Sequence, residues 1–364
     1  MVRLAIAGIG SIANMYIWLI ASGKVPSVRL TALCSRSREA MEQAANRFHL
    51  DVKLYQDYEE LLSSGDCDAV LICTPHGKHP AMTKQALHAG IPVLVEKPVG
   101  IFVEEVEECL DLLKQNPKLV CGVMYNRRAS KVFHTIKDMV DSGEIGELVR
   151  CTWIITDLYR SHAYHASSPW RGSWAGEGGG LLMTQASHQL DLLQWICGMP
   201  REVLARCSTV NRPIAVENEA ELLLTFPNGA RGQFLASSHE FPGTNLLEIC
   251  GTKGKITLVN DTRVEICRMT EDEREFTLKC REQYGHPEMT RETLEFRDGE
   301  NGMPQAKLME NFARAVLGQE KILCPLEEGL RSLQLIQGAY VSSRLEQSIK
   351  LPLETGIYRQ LFHE

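Results

Sequence analysis

The chain has 364 residues, a length that favours two domains over a single core. Its 39 basic and 46 acidic residues give a net charge of -7, which argues against nucleic acid or an anionic membrane as the main partner because both need basic patches. The 12 cysteines include no C-x-x-C pair and the longest apolar stretch is too short to cross a bilayer, so we expect a cytoplasmic protein with free thiols.

The first 123 residues alternate short apolar strands with helical patterns. The predicted strands cover residues 3–7, 28–34, 69–73, 92–95 and 119–123. The predicted helices cover residues 11–22, 38–48, 58–63 and 79–89. Because strands separated by helices form parallel sheets, we predict a doubly wound α/β domain over residues 1–123.

The pattern changes after this point, and we predict a second α/β domain over residues 124–364. Several strands joined by turn signals between residues 203 and 296 favour an open, largely antiparallel sheet. The other predicted elements are helices at 132–142, 181–196, 307–317 and 326–347, a strand at 148–157 and an irregular segment at 158–180.

A glycine turn follows the first strand. Gly8, Gly10 and Ala13 form the pattern G-x-G-x-x-A, and Ser11 is the predicted N-cap of the helix. The first glycine permits a tight turn, the second lets the backbone approach a pyrophosphate, and the small third residue lets helix and strand pack closely. Backbone N–H groups at the helix start, among them those of Ser11 and Ile12, would then face the phosphates. The segment predicts a dinucleotide site, with a plain strand-to-helix turn as the alternative.

The second strand ends in Ser35 and Arg36. Enzymes that use NAD usually carry Asp or Glu at this place to bind the ribose hydroxyls. A small polar residue followed by an arginine suits a 2′-phosphate better, so we predict NADP(H) in preference to NAD(H). The alternative is that Arg36 stacks on the adenine or points to solvent.

The loop after the third of these strands contains Thr74, Pro75, His76 and His79. We predict that Thr74, Pro75 and His79 lie beside the ribose and nicotinamide of the cofactor. The alternative is that Pro75 ends the strand and a histidine begins the next helix. No carboxylate or cysteine accompanies the two histidines, so we predict no metal site.

Glu96 and Lys97 follow the apolar run 91–95. Open α/β sheets bind their ligands at the carboxyl ends of buried parallel strands, which is where this lysine lies. Its ammonium group can polarise a substrate oxygen, and lysine is rarely buried without such a purpose. We therefore predict a catalytic Lys97 and a cofactor contact for both residues, with a Lys97–Glu96 surface pair as the alternative.

A triglycine, 178–180, precedes the predicted helix 181–196. Thr184 and His188 are four residues apart, so on a helix they share one face. A histidine poised near neutral pH suits proton transfer to or from an alcohol. A lone histidine on an apolar helix is more often a core residue, but a flexible triglycine lets a loop approach a ligand. We therefore predict that His188 and Thr184 are catalytic.

Aromatic and basic residues crowd the segment just before the triglycine. Trp170 and Arg171 combine an apolar ring plane with a hydrogen-bonding cation, which suits the ring face and hydroxyl edge of a carbohydrate. We expect both to contact substrate, and the alternative is a capped loop with its tryptophans in the core.

These segments together resemble the Gfo/Idh/MocA family (glucose-fructose oxidoreductase, inositol dehydrogenase and rhizopine catabolism proteins). The resemblance runs from residue 5 to about residue 353. The stretches that carry it are G-I-G-S-I-A, T-P-H-G-K-H, E-K-P, M-Y-N-R-R, G-G-G-L-L-M-T-Q-A-S-H-Q-L-D and P-L-E-E-G.

The resemblance implies a Rossmann domain followed by an α/β domain whose open sheet assembles the chain into a homodimer or homotetramer. It implies that Lys97 and His188 act together on one hydroxyl of a sugar or cyclitol. It also implies that Asn126 and Arg127 lie at the nicotinamide end and contact substrate.

One position departs from the family pattern. The family's frequent aspartate, four residues before the histidine, is Thr184 in this chain. The change removes a partner able to orient His188 or relay its proton. Gln185, a predicted substrate contact, or Asp191 would compensate in part.

Our hypothesis is therefore an NAD(P)-dependent dehydrogenase acting on a sugar, a sugar derivative or inositol. One alternative is a glycosidase-like enzyme that works by transient oxidation and elimination at a tightly held NAD. A second is a regulator that senses the cofactor without catalysis, which the presence of both Lys97 and His188 disfavours.

Overall fold

The computed structural model describes residues 1–168, 170–297 and 302–363, which form two compact units. The first unit comprises Met1–Ser130, Gly176–Gly178 and Asp298–Leu333. The second unit comprises Lys131–Ala175, Gly179–Arg297 and Gln334–Glu364. Residues 298–333, which the sequence assigned to the second domain, thus group with the first unit, and the division of function at residues 123 and 124 stays a prediction.

The first unit is built on a six-stranded sheet in which every strand pair is parallel. The strands are β1 Val2–Ala7, β2 Val28–Cys34, β3 Lys53–Tyr55, β4 Ala69–Ile72, β5 Val93–Val95 and β6 Cys121–Val123. Their order is β3-β2-β1-β4-β5-β6, which confirms the predicted doubly wound fold. The order reverses between β1 and β4, and ligands of such sheets bind at that switch point.

The central strands of this sheet are buried on both faces. All four residues of β4 are buried, as is β1 from Leu4 onward, because helices cover both sides of a parallel sheet. That is why these strands read in the sequence as continuous apolar runs.

The second unit is built on a nine-stranded sheet. The strands are β7 Leu148–Ile155, β8 Glu202–Ser208, β9 Glu219–Thr225, β10 Arg231–Ser237, β11 Asn245–Gly251, β12 Gly254–Val259, β13 Arg263–Met269, β14 Met289–Glu295 and β15 Ile349–Lys350. Their order is β14-β13-β12-β11-β7-β10-β9-β8-β15. Only the β7–β10 pair is parallel among these described strands, so the predicted open, largely antiparallel sheet is confirmed.

One face of this second sheet forms a core. Cys151, Trp153 and Ile155 of β7 are fully buried, whereas the residues between them are partly exposed. Phe133 packs its ring 6.2 Å from that of Trp153, which lies 6.4 Å from Phe234 of β10. The alternation shows that one face is covered and the other is open.

Fourteen helices are present in the described residues. They are α1 Ser11–Ala21, α2 Arg38–Arg47, α3 Tyr58–Ser63, α4 His79–His88, α5 Val103–Gln115, α6 Lys131–Asp141, α7 His162–Ala166, α8 Trp174–Glu177, α9 Leu181–Thr184, α10 Ser187–Cys197, α11 Glu273–Lys279, α12 Met303–Val316, α13 Leu326–Leu345 and α14 Ile357–Phe362. No helix in the described part of the chain combines the length and apolar character needed to cross a bilayer. All twelve cysteines are free thiols.

Candidate functional site

The glycine turn lies at the edge of the first sheet where β1 and β4 end. Gly8 has a φ of +94°, and a Cβ atom there would lie 2.8 Å from the backbone carbonyl of Cys73, so the position requires glycine. A Cβ atom on Gly10 would meet no described atom within 4 Å. The first glycine is therefore needed by the fold, whereas the second leaves open space over the backbone, as an approaching ligand needs.

Helix α1 begins at Ser11 and has Gly10 as its N-cap, which corrects the prediction that Ser11 caps it. No side chain in the described residues accepts from this helix end, so the first N–H groups, those of Ser11, Ile12 and Ala13, have no intrahelical acceptor. A groove of about 810 Å³ between α1 and α2 reaches Gly10 and Ser11. Unpaired donors at the positive end of an 11-residue helix fit the pyrophosphate of a dinucleotide.

The residues after β2 form a turn that hydrogen bonds hold in place, and the long side chain of Arg36 extends from it. The Ser35 hydroxyl accepts from the N–H of Ser37 at 3.2 Å, and Ser37 caps α2 by accepting from the N–H of Ala40 at 3.2 Å. Gln56 donates to the Arg36 carbonyl at 3.2 Å. Arg36 is exposed, and its guanidinium makes no hydrogen bond or ion pair with any residue that the structure describes. The turn therefore holds the backbone while presenting a cation to solvent.

His79 is fully buried between two backbone carbonyls. Its Nδ1 lies 2.8 Å from the Pro98 oxygen and its Nε2 lies 2.7 Å from the Thr74 oxygen. Burial lowers the pKa of His79, and the two carbonyls oppose that effect. The ring therefore links the loop after β4 to the segment after β5, and direct cofactor contact by His79 stays a prediction. Pro75 in the same loop is exposed.

A buried carboxyl lies next to the predicted catalytic lysine. Glu96 is 8% exposed and accepts from the Tyr16 hydroxyl and, at 3.1 Å, from the backbone N–H of Lys97. Burial raises the pKa of Glu96, and burial followed by the charge of Glu96 raises that of Tyr16. Lys97 itself is half-buried. The Glu96 carboxyl thus points into the core, and Tyr16 is a partner that the sequence did not reveal.

Asn126 and Arg127 lie in a 3₁₀ turn, Asn126–Ala129, and both are half-buried. The structure places them in the first unit, whereas the sequence placed them at the start of the second domain. The next residue, Arg128, is fully buried and pairs with Glu328 at 3.2 Å.

In the second unit, Glu217 holds the end of the triglycine. Its carboxylate accepts from the N–H groups of Gly180 and Leu182, both at 2.9 Å, and from the Tyr340 hydroxyl at 2.7 Å. A Cβ atom on Gly180 would lie 2.0 Å from the Glu217 carbonyl oxygen, so this glycine permits a close approach of two backbones. Burial raises the pKa of Glu217 to about 7. No motif marks Glu217 in the sequence.

The predicted helix 181–196 is two helices, α9 and α10, which is a correction. The N–H of Ala186 bonds to the Leu181 carbonyl, five residues back, at 2.8 Å, so the first helix widens and ends before Ser187. Thr184 therefore ends one helix while His188 lies in the first turn of the next, and the argument that they share one helix face does not apply. His188 is half-buried.

The Thr184 hydroxyl belongs to a polar network in the second unit. Its Oγ1 lies 2.7 Å from the Gly180 carbonyl and 2.7 Å from Oε1 of Gln185. The Gln185 amide donates to the Tyr164 hydroxyl at 2.9 Å, and Nη1 of Arg171 donates to the same hydroxyl at 2.6 Å. The structure thus brings together three predicted residues, Thr184, Gln185 and Arg171, through a tyrosine absent from the predicted set.

The side chain of Arg171 also stacks on aromatic rings. Its Cζ lies 4.7 Å from the Trp170 ring centroid and 4.4 Å from that of Tyr164, within the range of cation–π contact. Trp170 is half-buried. The pair therefore presents a flat aromatic surface beside a hydrogen-bonding cation.

Asp191 is buried on α10, at 1% exposure, one helical turn beyond His188. Among the described residues, no group of three or more His, Cys, Asp or Glu side chains could hold a metal ion.

Comparison with known proteins adds two family matches. Residues 2–125 match the model described as an oxidoreductase family with an NAD-binding Rossmann fold, and residues 133–257 match the GFO/IDH/MocA C-terminal domain.

Two relatives and one solved structure extend these matches. The uncharacterized oxidoreductase YrbE of Bacillus subtilis (strain 168) is 25% identical over 345 residues, 93% of each chain. The scyllo-inositol 2-dehydrogenase (NAD(+)) of the same organism is 25% identical over 261 residues, 70% of this chain and 73% of the relative. The WlbA dehydrogenase from Bordetella pertussis, in complex with NADH and UDP-GlcNAcA, has a TM-score of 0.78 at 23% identity, covering 97% of this chain and 99% of that one. The last match shows a shared fold.

Proposed function

Because this chain belongs to the Gfo/Idh/MocA family of NAD-binding oxidoreductases, we propose that it transfers a hydride between a nicotinamide dinucleotide and a secondary hydroxyl or ketone of a sugar, sugar derivative or inositol. The observation that carries the proposal is that the first unit contains both a helix α1 without a side-chain cap at its N-terminus and Lys97. β5, which precedes Lys97, neighbours β4 in the sheet, so both features lie at the carboxyl edge where such sheets bind ligands.

Two of the similar proteins support this substrate class. The B. subtilis relative is a scyllo-inositol 2-dehydrogenase that uses NAD(+), and the WlbA dehydrogenase structure contains NADH and UDP-GlcNAcA. A cyclitol and a sugar nucleotide share ring carbons that bear secondary hydroxyls. That shared group is what we propose this chain oxidises.

The bound dinucleotide supplies the hydride acceptor, and the chain supplies proton handling and charge stabilisation. In oxidation, His188 accepts the hydroxyl proton and the Lys97 ammonium stabilises the oxygen as negative charge develops. We propose Thr184 as a further catalytic residue, and hydrogen bonds from Thr184 to the Gly180 carbonyl and from Gln185 to the Tyr164 hydroxyl hold these two side chains in place. No carboxylate stands at position 184 to share the proton of His188.

The cofactor contacts that we propose fall at four turns of the first unit. They involve the phosphate cradle, the β2 end, and the loops after β4 and β5, namely Gly8, Gly10, Ser11, Ile12, Ala13, Ser35, Arg36, Thr74, Pro75, His79, Glu96 and Lys97. The proposed substrate contacts are Asn126, Arg127, Trp170, Arg171, Gln185 and His188.

We propose a preference for NADP(H) because Arg36 is exposed after a fixed Ser35 turn. Arg36→Gln should lower kcat/KM for NADP+ by about 10- to 100-fold, the effect of losing a charge-assisted hydrogen bond, and should change that for NAD+ much less. Arg38→Gln is the matched control, because Arg38 is exposed nearby and pairs with Glu42 at 2.8 Å. Equal loss with both cofactors would contradict the preference.

Lys97→Ala tests the chemistry. On the best substrate from a panel of sugars and inositols, the variant should lose about 10²- to 10³-fold in kcat, as enzymes do when one preorganised donor is removed, while NADPH binding measured by fluorescence stays near wild type. Lys118→Ala, an exposed lysine before β6, is the control. Near-wild-type turnover in Lys97→Ala would refute the assignment.

Two further measurements sharpen this test. If Lys97 and His188 serve one hydroxyl, the double variant Lys97→Ala/His188→Ala should lose less than the product of the two single losses. Release of an aglycone from glycosides without net change in NAD(P)H would instead support the glycosidase-like alternative.

We also propose that the chain forms a homodimer or homotetramer through the open face of its second sheet. Leu204 and Leu223 are cross-strand neighbours there, 41% and 53% exposed, and exposed apolar pairs of this kind mark interaction surfaces. Light scattering should give a multiple of the 40.8 kDa chain mass, and Leu223→Glu should shift it toward the monomer.

A further inference from the structure

The loop around α7 gathers cations in the second unit. His165 lies at their centre: burial lowers its pKa, and the charges of Arg212, Arg171, His162 and Arg160 lower it further. Four cationic or protonatable groups thus surround one imidazole. In a chain whose net charge is -7, this local excess of positive charge is a specific feature rather than a reflection of composition.

Two of these arginines donate side-chain hydrogen bonds only to backbone carbonyls among the described residues. Arg160 donates to the carbonyls of Leu158 at 3.2 Å and Tyr159 at 2.8 Å. Arg212 donates to the carbonyls of Arg160 at 2.8 Å and Asn211 at 2.7 Å. Neither arginine makes an ion pair with any residue that the structure describes. The carbonyls fix the guanidinium groups without neutralising them.

Two acidic side chains near the end of β10, those of Glu240 and Glu219, contact residues other than the arginines of this loop. The loop meets the end of β10, since the N–H of Arg160 donates to the Ser238 carbonyl at 2.8 Å. Just beyond, Glu240 accepts from the Thr156 hydroxyl at 2.8 Å. Glu219 lies 3.6 Å from His239. Neither of these two carboxylates forms an ion pair with Arg160 or Arg212.

His165 points to the same conclusion. Both of its ring nitrogens are buried, and neither has a hydrogen-bond partner among the described residues. Buried polar groups in native proteins are nearly always paired, so such atoms call for a ligand.

The cation cluster adjoins the polar network of the candidate site. The Tyr164 ring lies between two guanidinium groups, 5.1 Å from the Arg160 Cζ and 4.4 Å from the Arg171 Cζ. The Tyr164 hydroxyl accepts from Gln185, whose Oε1 contacts Thr184. Only the Tyr164 side chain would therefore separate an anionic ligand group bound by Arg160 from Gln185, a residue proposed to contact substrate.

We propose that the loop 158–165, with Arg171 and Arg212, binds an anionic group of the substrate, so that this enzyme acts on an acidic sugar or cyclitol. The group is a carboxylate or a phosphate, since a planar guanidinium recognises both through paired hydrogen bonds. That the bound molecule is a substrate rests on the proposed oxidoreductase function, whereas the anion site itself does not depend on that function.

A binding experiment tests the anion site without turnover. His165 is followed by NMR in the full chain, with its signal assigned by loss in His165→Gln, and is titrated in chloride, in inorganic phosphate and in D-glucuronate at constant ionic strength. An anion beside the ring should raise the His165 pKa by about one unit. The shift should vanish in Arg160→Gln/Arg212→Gln and persist in Arg281→Gln, an exposed arginine of the same unit. An unshifted wild-type titration would overturn the proposal.

Kinetics then separate the two sources of the anion and the two proposals. The panel compares D-glucose, D-glucuronate and D-glucose 6-phosphate, and myo-inositol with its monophosphate. The acidic member should be preferred, and losing each arginine should reduce that preference about tenfold or more. Preference for the neutral member, or a rise in the KM of NADP+ alone, would overturn the inference. An intact His165 shift with no oxidation of any compound would instead count against the oxidoreductase proposal.

Discussion

Each of the two units buries a glutamate against a tyrosine hydroxyl, yet the two pairs do different work. In the first unit Tyr16 donates to Glu96, and in the second unit Tyr340 donates to Glu217 at 2.7 Å. Glu96 otherwise accepts only from the backbone N–H of its neighbour Lys97 among the described residues. Glu217 accepts from two further N–H groups, those of Gly180 and Leu182, at the start of α9. The first carboxyl lies next to Lys97, which we propose to be catalytic, whereas the second binds backbone N–H groups.

The two units differ in how they compensate for the burial of a carboxylate. A buried carboxylate needs donors to replace water. Glu217 receives three donors, and burial still raises its pKa to about 7. Glu96 receives a tyrosine hydroxyl and one N–H, with the charge of Lys97 also favouring its ionised form. In the first unit the charge of Lys97 thus helps to stabilise the buried carboxylate, whereas in the second unit backbone N–H donors have this role.

The largest expected effect on stability follows from removing the carboxyl of Glu217, which accepts from backbone N–H groups. Glu217→Ala should lower the free energy of unfolding by about 3–5 kcal/mol at pH 6, because the buried donors of Leu182 and Tyr340 lose their acceptor and the Gly180 N–H keeps only the Tyr340 hydroxyl oxygen, at 3.1 Å. Urea denaturation measures this change. Glu221→Ala is the control, since Glu221 is exposed on β9, which begins two residues after Glu217, and should stay within about 0.5 kcal/mol of wild type. Similar values for both variants would break the comparison.

The second effect is a pH dependence assigned to Glu217. Its pKa is about 7 in the folded chain and 4.5 as the ordinary value, so the folded state binds the extra proton between these two values. Stability should therefore fall as pH rises through this window, by about 3 kcal/mol from pH 5 to pH 8. Unfolding free energies of wild type and Glu217→Gln, measured at pH 5, 6, 7 and 8, isolate this contribution. Parallel profiles for the two proteins would contradict it.

The same comparison shows which parts of the site a sequence can reveal. Glu96 and Lys97 follow a buried strand, so their place at the sheet edge could be predicted. The glycine turn could also be predicted, because Gly8 and Gly10 have the spacing of a strand-to-helix turn. Glu217 was not, since its partners Gly180 and Tyr340 are 37 and 123 residues away along the chain. Contacts of that range depend on tertiary packing, which no local pattern encodes.

Elements of the fold divide in a similar way. The central strands were predicted because both of their faces are buried, whereas β3 has three partly exposed residues and no apolar run. No element was predicted for residues 103–115, although buried Val103, Val106 and Cys109 repeat at helical spacing. The break between α9 and α10 was also missed, because one hydrogen bond of five-residue span leaves no mark on composition.

The smallest expected effect compares the two tyrosines directly. Tyr16→Phe should cost about 2 kcal/mol at pH 8 and Tyr340→Phe about 1 kcal/mol, because Glu96 would keep one backbone donor whereas Glu217 would keep two. Phenylalanine preserves the packing of both rings, so the difference reports on the hydroxyl groups. Urea denaturation of both variants beside wild type gives the two values. A larger loss for Tyr340→Phe would reverse the order, and would mean that the backbone donors of Gly180 and Leu182 support their carboxylate less than Lys97 supports its neighbour.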